Sequence, residues 1–491
     1  MKRILGTETE FGIANMGSES SDPVSNSIFL VNNYPYLPSS SVIWDYENEN
    51  PLCDARGFEA DGERESPGPE YNRLLNKLLP NGGRLYVDGA HPEYSTPECA
   101  NPLDLVAYEK AGERILERCV EISEHLKGEE KQLSIYKNNT DGKGNSYGYH
   151  ENYLVSRQLP FDKIASQLMP FLVTRQIYAG SGKIGSENRT EPAEYQISQR
   201  ADFFETRVDL NTMVKRPIIN TRDEPHADPA RYRRLHVIVG DANMSEVSTF
   251  LKVGALSLVL AMIEAGQEVK GLDLEDPVRS IKEVSRDLTV KKKIKLTRGA
   301  AWSAVEIQRS YLEQAEDHFS RTQNQTTKDI LKRWRSVLDK LEEDPMQLSR
   351  EIDWVIKKEL IESYMKRKAC DWTDSRAQMM DLQYHNVVQS KGLYYALERG
   401  NYVERLIRPE DLAHAEELPP EDTRAYFRGT CIKKFSKEVY AASWTSLLLD
   451  PGNGAIKKIP LLDPLKGSRD LVGPLLDKAE SVEALLNMIS T

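Results

Sequence analysis

The sequence predicts an α+β fold with a largely antiparallel sheet and a small domain at its C-terminal end. Strand-like and helical segments are mixed over the first half of the chain, and a long helical stretch follows. That order is typical of α+β proteins, whereas strict strand–helix alternation would favour a parallel sheet. Apolar residues make up 39% of the 491 residues, which is enough for a sizeable core.

The predicted strands share short apolar runs that alternate with polar residues. They are expected over residues 1–15, 84–88, 133–137, 147–156, 216–220 and 235–239. Helical spacing of apolar residues is expected over 102–126, 246–265, 304–343 and 348–368. Residues 16–42 are rich in Ser, Asn and Pro, and we expect them to be irregular.

Two stretches organise the chain beyond its regular elements. Residues 43–83 form a long polar insert, and a loop of that length is either functional or disordered. Pro409, Pro419 and Pro420 flank a group of acidic residues, which predicts a domain boundary. We therefore expect a large domain over 1–413 and a small C-terminal domain over 414–491.

Composition argues against several classes of partner. The 65 Lys and Arg against 76 Asp and Glu give a net charge of −11, which disfavours nucleic acid. The longest apolar run, Val253–Ile263, is shorter than the ~20 residues that span a bilayer, so we expect a buried helix and no membrane partner. The five cysteines are far apart and form no CxxC, so neither a disulfide framework nor a zinc site is expected. A reducing cytoplasm is the predicted location.

The first candidate site lies on the N-terminal strand. Side chains alternate along a strand, so Glu8 and Glu10 point to one face, ~7 Å apart. A solvated strand face is the alternative interpretation. Because Leu5, Phe11 and Ile13 place this strand in the core sheet, two unpaired carboxylates there would be costly, which favours a metal ion.

The second candidate site follows the insert. Arg84, Tyr86 and Asp88 share one strand face, and Glu93 and Glu98 come shortly afterwards. If this face adjoins that of Glu8, the site holds up to five carboxylates and one arginine. Such a cluster is tolerable around hard cations with oxygen ligands, of which Mg²⁺ is the natural choice, and Arg84 would then face a nucleotide phosphate.

Three further residues are candidates for contacts with phosphate or with a carboxylate substrate. Arg200, Arg222 and His236 lie in or beside short apolar strands in segments dense in polar groups. The alternatives are a surface salt bridge for each arginine and a structural role for the histidine.

Several motifs together resemble those of the enzymes of pupylation, which attach the prokaryotic ubiquitin-like protein (Pup) to lysines or remove it. The matching segments are 6–12, 84–88, 91–94, 137–141, 144–148, 150–153, 220–228, 236–241 and 243–246. The resemblance spans nearly the whole chain. This family belongs with the glutamine synthetase-like carboxylate–amine ligases.

The resemblance implies a curved antiparallel β-sheet that cradles Mg²⁺-ATP, helices behind it and a small C-terminal domain. It implies Asp88 as the catalytic carboxylate and Mg²⁺ ligation by Glu8, Tyr86 and Glu93, to which the strand pattern adds Glu10. Nucleotide contacts are implied for the following residues: Arg84, Thr96 and Trp444. The implied cofactors are Mg²⁺ and ATP, or ADP plus phosphate, bound without stoichiometric turnover.

The insert indicates which of the two kinds of enzyme in this family the chain resembles, the ligases or the depupylases. Trp44–Glu47 and Asp54–Phe58 resemble the loop that marks the depupylases, and the spacing from Asp88 to His91 resembles theirs. Thr9 and Phe11 are more similar to the ligase version of the first strand.

We therefore expect a hydrolase that cleaves the isopeptide bond between Pup and a substrate lysine and that deamidates a C-terminal Gln of Pup. Its partners would be Pup and pupylated proteins, with a functional link to the bacterial proteasome. The alternatives are a Pup–protein ligase acting through γ-glutamyl phosphate, a non-catalytic Pup-binding scaffold and a small-molecule glutamate ligase.

Overall fold

The computed structural model describes residues 3–16, 22–35, 42–62, 66–127, 132–452 and 454–490. Its strands, numbered in chain order, are β1 Leu5–Glu10, β2 Gly12–Asn15, β3 Ile43–Trp44, β4 Cys53–Asp54, β5 Phe58–Glu59, β6 Asn76–Leu78, β7 Arg84–Asp88, β8 His91–Ser95, β9 Leu133–Tyr136, β10 Tyr149–Ser156, β11 Lys183–Ile184, β12 Tyr195–Gln196, β13 Phe204–Asp209, β14 Arg216–Asn220, β15 Tyr232–Val237, β16 Lys293–Lys295, β17 Ala301–Ser303, β18 Val439–Ala442, β19 Ser446–Leu449 and β20 Lys457–Pro460.

The helices connect and back these strands. They are α1 Pro23–Asn32, α2 Pro69–Leu75, α3 Pro102–Lys127, α4 Phe161–Thr174, α5 Gln176–Ala179, α6 Glu246–Glu264, α7 Pro277–Arg286, α8 Ala304–His318, α9 Gln325–Glu343, α10 Asp353–Lys368, α11 Ser375–Tyr384, α12 Leu393–Arg399, α13 Pro409–Glu417, α14 Ala425–Lys434, α15 Arg469–Lys478 and α16 Val482–Ser490.

The main sheet has six strands in the order β15-β10-β1-β8-β7-β6, and every neighbouring pair is antiparallel. Side chains alternate along β1 and β10 between a buried face and a half-exposed face. The buried face packs on α3 and α6, which belong with it to the largest apolar core of the described chain. The other face is therefore left free to carry polar groups.

Charged side chains behind the sheet are paired. Arg175 Nη2 lies 2.6 Å from Glu151 Oε1, and Lys137 Nζ lies 2.7 Å from Glu109 and 2.9 Å from Glu113. These residues are almost completely buried. Breaking such a pair leaves an uncompensated charge in the interior. The Arg175–Glu151 pair therefore ties β10 of the main sheet to the C-terminal end of α4, and the Lys137 pairs tie the end of β9 to α3.

A four-stranded sheet in the C-terminal region, in the order β20-β19-β18-β3, includes a strand of the insert. Its β3 pairs in parallel with β18, with Trp44 opposite Ala442. Trp44 and Leu78 also belong to the apolar core formed by the C-terminal helices and strands. The insert thus contains regular elements and packs on this region; its residues 63–65 lie outside the described ranges.

The predicted boundary between residues 413 and 414 falls inside α13. This helix packs on α3, and the carbonyl of Ala415 at its C-terminal end accepts a hydrogen bond from Asn81 Nδ2. The division into two domains stays a prediction.

The expectation of irregular structure over 16–42 is wrong for part of this range. Helix α1 forms because Asp22 accepts hydrogen bonds from the backbone amides of Val24 and Ser25, with Pro23 in the first turn. Its Leu30 and Val31 are fully buried. The composition did not reveal this helix, because most of its apolar residues lie in the second half of the helix. Residues 17–21 and 36–41 of this range lie outside the described residues.

Helix α6 is the one described helix that is long and apolar enough to cross a membrane. Buried residues make up 94% of its most apolar window. This helix is the buried core helix that the sequence predicts around Val253–Ile263.

Candidate active site

The strand register places the predicted site residues of β1, β7, β8 and β15 on one face of the main sheet. Residues directly opposite each other on antiparallel strands share a face. Glu93 lies opposite both Glu10 and Tyr86. The same register sets Glu8 opposite His150 on β10. Four neighbouring strands therefore contribute to one polar surface, and β15 extends it.

Three carboxylates form the acidic end of this surface. Oxygens of Glu10, Asp88 and Glu93 all lie within 4.8 Å of one another. Glu93 is 1% exposed and its Oε2 has no hydrogen-bond partner among the described residues, whereas Asp88 is exposed to solvent. Burial, then the charges of Asp88 and Glu10, raises the pKa of Glu93 well above its usual value. A bound cation would remove this repulsion.

A second group surrounds Glu8. Its carboxylate and ring nitrogens of His150 and His236 lie within 4.8 Å of one another. Asn152 Nδ2 donates to Glu8 Oε1 at 3.0 Å, and Arg234 Nη1 lies 3.5 Å from the same oxygen. Burial alone would raise the pKa of Glu8, but the hydrogen bond with His150 and the neighbouring positive charges bring it well below its usual value.

The predicted metal ligands therefore fall into two groups. Glu8 lies with the two histidines, whereas Glu10 and Glu93 lie with Asp88. Tyr86 lies within the electrostatic influence of both groups. Burial and the charges of Glu93, from one group, and Glu8, from the other, raise the pKa of its phenol well above the usual value. Its phenol is thus neutral and offers an oxygen without adding charge.

Arg84 is held by aromatic and amide groups. Its guanidinium carbon lies 3.9 Å from the ring centroids of both Trp44 and Tyr86, and Nη2 donates to Asn76 Oδ1 at 2.5 Å. The Nη1 atom lies 4.0 Å from Glu49 Oε1. Since no described residue accepts a hydrogen bond from Nη1, this nitrogen is the one placed to meet an anionic ligand.

Thr96 and Trp444 line one cavity beside Glu8, together with Gly6 and His226. Thr96 Oγ1 accepts a hydrogen bond from the Thr7 amide at 3.0 Å, which fixes it at the end of β8. The Trp444 ring meets the Trp44 ring edge-on at 5.2 Å between centroids. The structure thus brings these two predicted nucleotide contacts together although they are far apart in sequence.

Glu98 does not belong to the carboxylate cluster, contrary to the sequence prediction. Its Oε1 accepts from Arg424 Nε at 2.7 Å, and its Oε2 pairs with Arg428. These charges hold the pKa of Glu98 at about 2 against the opposing effect of burial. Glu98 lies three residues beyond the end of β8, and it pairs with Arg428 of α14 and with Arg424 in the turn before that helix.

Arg200 and Arg222 occupy different parts of the surface. Arg200 is buried; Nε lies 3.3 Å from Ser146 Oγ, and burial together with Arg216 lowers its pKa to about 10, against the opposing charge of Glu10. It therefore lies at the acidic end. Arg222 acts electrostatically on Glu224 and His236, and its buried Nε has no hydrogen-bond partner among the described residues.

His236 lies opposite Asn152, and its Nδ1 is 3.0 Å from Asn152 Oδ1. Its buried Nε2 has no hydrogen-bond partner among the described residues. Burial and the charge of Arg234 lower its pKa well below the usual value, so the ring is neutral and able to act as a metal ligand. Its position suits metal ligation as well as the predicted ligand contact.

The sequence reasoning did not include His150 or Arg234 among the site residues. Both follow from alternation on β10 and β15: His150 shares its face with Asn152, and Arg234 with His236. The missing information was that β10 lies beside β1 and that β15 lies on the other side of β10.

The fold and this surface together define an α+β protein with an antiparallel sheet whose free face is lined by carboxylates, histidines and arginines, a donor set suited to metal ions and anions. The chain belongs to the family described as "Pup-ligase protein", whose sequence model matches residues 3–448. The predicted fold class and the predicted family are both confirmed.

Two curated relatives match essentially the full length. A depupylase of Acidothermus cellulolyticus is 46% identical over 497 residues, with 99% of each chain covered. A Pup deamidase/depupylase of Mycolicibacterium smegmatis is 43% identical over 499 residues, with 100% of each chain covered.

Two solved structures share the fold. The complex between Pup and its ligase PafA matches with a TM-score of 0.82 at 34% identity, covering 99% of this chain and 94% of that chain. The Pup ligase PafA in complex with ADP matches with a TM-score of 0.75 at 37% identity, covering 82% of this chain and 89% of that chain.

Proposed function

We propose that this protein is a depupylase and Pup deamidase. It hydrolyses the isopeptide bond between the C-terminal side-chain carboxyl of Pup and a substrate lysine, and it converts a C-terminal Gln of Pup to Glu. The observation that carries the proposal is the 43–46% identity, over the full length, to relatives named for these activities. The ligases of known structure are 34% and 37% identical.

Asp88 is the catalytic residue of the proposal. It ends β7 on the polar face and is exposed to solvent, so a bulky substrate can reach its carboxylate. The carboxyl groups of Glu10 and Glu93 lie beside it. Asp88 serves either as the nucleophile at the scissile carbonyl or as the base that takes a proton from the attacking water. Arg200, at the same end, supplies positive charge for the developing oxyanion.

The donor set fits the proposed Mg²⁺. Three carboxylates within 4.8 Å of one another, one of them buried with an unpartnered oxygen, need a compensating cation. Glu10 and Glu93 would hold one ion, and Glu8 with His150 and His236 offers a second place for a metal. When bound, Mg²⁺ would neutralise these charges and polarise an oxygen of the substrate or of a phosphate.

ATP, or ADP plus phosphate, is the proposed second cofactor. The PafA relative of known structure was solved with ADP. Thr96 and Trp444 line the cavity that contains Glu8, and Arg84 Nη1 donates no hydrogen bond to a described residue. Arg84, Thr96 and Trp444 would contact the bound nucleotide, with Arg84 supplying a positive charge for a phosphate.

Pup and pupylated proteins are the proposed partners, and the PafA relative was solved with Pup. We also propose a cytoplasmic location and a functional link to the bacterial proteasome. All five cysteines are free in the structure, which accords with a reducing compartment.

Intact mass spectrometry tests the proposal. The purified chain is incubated with Mg²⁺-ATP and a pupylated protein, and separately with free Pup ending in Glu and a protein that bears lysines. We expect Pup to leave the conjugate with little ATP consumed. New conjugate with matching ADP release would instead establish a ligase, and Pup binding without turnover would establish a scaffold.

The variant Asp88→Asn assigns the chemistry to this site. It is expected to keep nucleotide binding and to lose cleavage, because the amide neither attacks nor accepts the proton of water. Asp162→Asn, an exposed aspartate in the first turn of α4, is the matched control and is expected to cleave as the wild type does. Cleavage by Asp88→Asn at the wild-type rate would remove Asp88 from the mechanism.

A further inference from the structure

A large cleft lies away from the polar sheet face, on the helical side of the molecule. Its volume is about 690 Å³, within the range of small-molecule sites. It is bounded by the turn before β12, the loop after α7, the junction of α9 with α10, and α10 itself. None of the residues that line it belongs to the six-stranded sheet, so it is distinct from the candidate active site.

Aromatic side chains form the floor of this cleft. The rings of Tyr195 and Trp372 lie 5.2 Å apart between centroids with a tilt of 33°. Tyr195 donates its hydroxyl to the Trp354 carbonyl at 2.9 Å, and Trp354 itself is fully buried, so the floor is fixed. Trp372 is partly exposed and lines the cleft, so its ring can contact a ligand bound there.

The rim of the cleft carries more uncompensated negative than positive charge. Its two exposed glutamates, Glu194 and Glu343, have no ion-pair partner among the described residues, and Asp344 lies next to Glu343. Of the cations in the lining, two are already neutralised. Arg286 Nη2 lies 2.8 Å from Asp202, and Lys358 Nζ lies 2.6 Å from Glu362.

Lys291, on the loop after α7, is the remaining cation of the lining. The lining thus holds three carboxylates, Glu194, Glu343 and Asp344, and one lysine that form no ion pair with a described residue. An aromatic face ringed by carboxylates recognises positively charged organic groups, because the ring quadrupole and the carboxylates both attract the cation while the hydrocarbon part packs on the rings.

We propose that this cleft binds an organic cation, an alkylammonium or guanidinium group, with Trp372 and Tyr195 as the platform and Glu194 and Glu343 as the counter-charges. The group can belong to a free polyamine or to a lysine or arginine side chain of a polypeptide. This site goes beyond the proposed hydrolysis and does not depend on it.

Isothermal titration calorimetry on the full chain tests the proposal. The probes are spermidine and, separately, an unstructured peptide of alternating Lys and Gly. Saturating Mg²⁺ and ADP are present so that the carboxylates of the sheet face are occupied. We expect saturable binding of at least one probe at concentrations up to about 1 mM. Binding of spermidine alone identifies a polyamine site, and binding of the peptide alone identifies a polypeptide side chain.

The double variant Glu194→Gln/Glu343→Gln locates the binding. We expect its affinity for the probe to fall about tenfold, since two nearby charges are lost. Glu342→Gln is the matched control: Glu342 lies on the same helix and is exposed, but it pairs with Arg309 and does not line the cleft. The control is expected to bind as the wild type does. Quenching of Trp372 fluorescence, assigned with Trp372→Phe, gives a second readout.

Absence of saturable binding of either probe at about 1 mM would overturn the proposal. So would equal affinity of the wild type and the double variant. Because Glu194 and Glu343 are exposed, the double variant is expected to melt at a temperature close to that of the wild type. A similar melting temperature would show that a loss of binding comes from the cleft and not from unfolding.

Discussion

The ion pairs of Glu98 offer a sharp test of how the C-terminal region is held on the large sheet. The Glu98 side chain is 12% exposed, and those of Arg424 and Arg428 are 3% and 1% exposed. Glu98 and Arg424 also line the cavity that contains Trp444. The substitution Glu98→Gln keeps the shape of the side chain but leaves two buried guanidinium groups without their counter-ion.

The magnitude follows from the pKa of Glu98. A fall from the usual 4.5 to about 2 corresponds to about 3 kcal/mol of stabilisation when the group is ionised. Breaking a buried pair by removing one partner typically costs about 3–5 kcal/mol. We therefore expect Glu98→Gln to lower the free energy of unfolding of the C-terminal region by about 3 kcal/mol at neutral pH.

The effect has a defined pH dependence. Because the folded-state pKa of Glu98 is depressed, its stabilisation is present above about pH 4.5 and is lost as the pH falls towards 2. The stabilities of wild type and variant are therefore expected to converge in that window.

Urea unfolding and hydrogen exchange of the amides in α14 measure this change. The matched control is Glu421→Gln, which removes an exposed pair with Arg469 and is expected to cost less than about 1 kcal/mol. Loosening of the region that carries Trp444 is also expected to weaken nucleotide binding. If Glu98→Gln is no less stable than Glu421→Gln at neutral pH, the ion pairs do not dock the C-terminal region and the reasoning is refuted.

Three further outcomes are expected. Gly148→Ala should lower the rate of cleavage, because a Cβ there would lie 2.4 Å from His150 Nε2 and 2.6 Å from Glu10 Oε1 and would displace these side chains of the site. Gly68→Ala, with open space around it, should leave the rate unchanged. Mg²⁺ should raise the melting temperature of the wild type, and the increase should shrink in Glu93→Gln if the buried carboxylate binds the ion. Trp44→Ala should weaken ADP binding by about 1 kcal/mol in calorimetry through loss of its stacking on Arg84; unchanged affinity would show that the insert does not shape the nucleotide site.

Alternation along single strands was readable from the sequence. A strand turns successive side chains to opposite faces, so the shared faces of Glu8 with Glu10 and of Arg84 with Asp88 needed no knowledge of the fold. Helices α3 and α6 were predictable for a similar reason, since their apolar spacing is long and regular. Family motifs then identified the fold class as well as the family.

Strand order was decided only in three dimensions. Which strand lies beside β1 depends on the packing of the whole sheet, and β10 and β15, far away in sequence, take that side. That placement brings His150 and Arg234 to Glu8. It also separates Glu8 from Glu10 into two groups of potential metal ligands, which alternation alone could not reveal.

The partners of charged and aromatic side chains were likewise beyond the sequence. Glu98 looked like a member of the acidic cluster until the fold placed Arg424 and Arg428 against it. Trp44 of the insert reaches both Arg84 and Trp444 because β3 joins the C-terminal sheet. The spacing of side chains along one strand or helix follows from backbone geometry, so it can be predicted from the sequence. The compensation of a buried charge depends on which distant segment packs beside it, so it is decided by the tertiary structure.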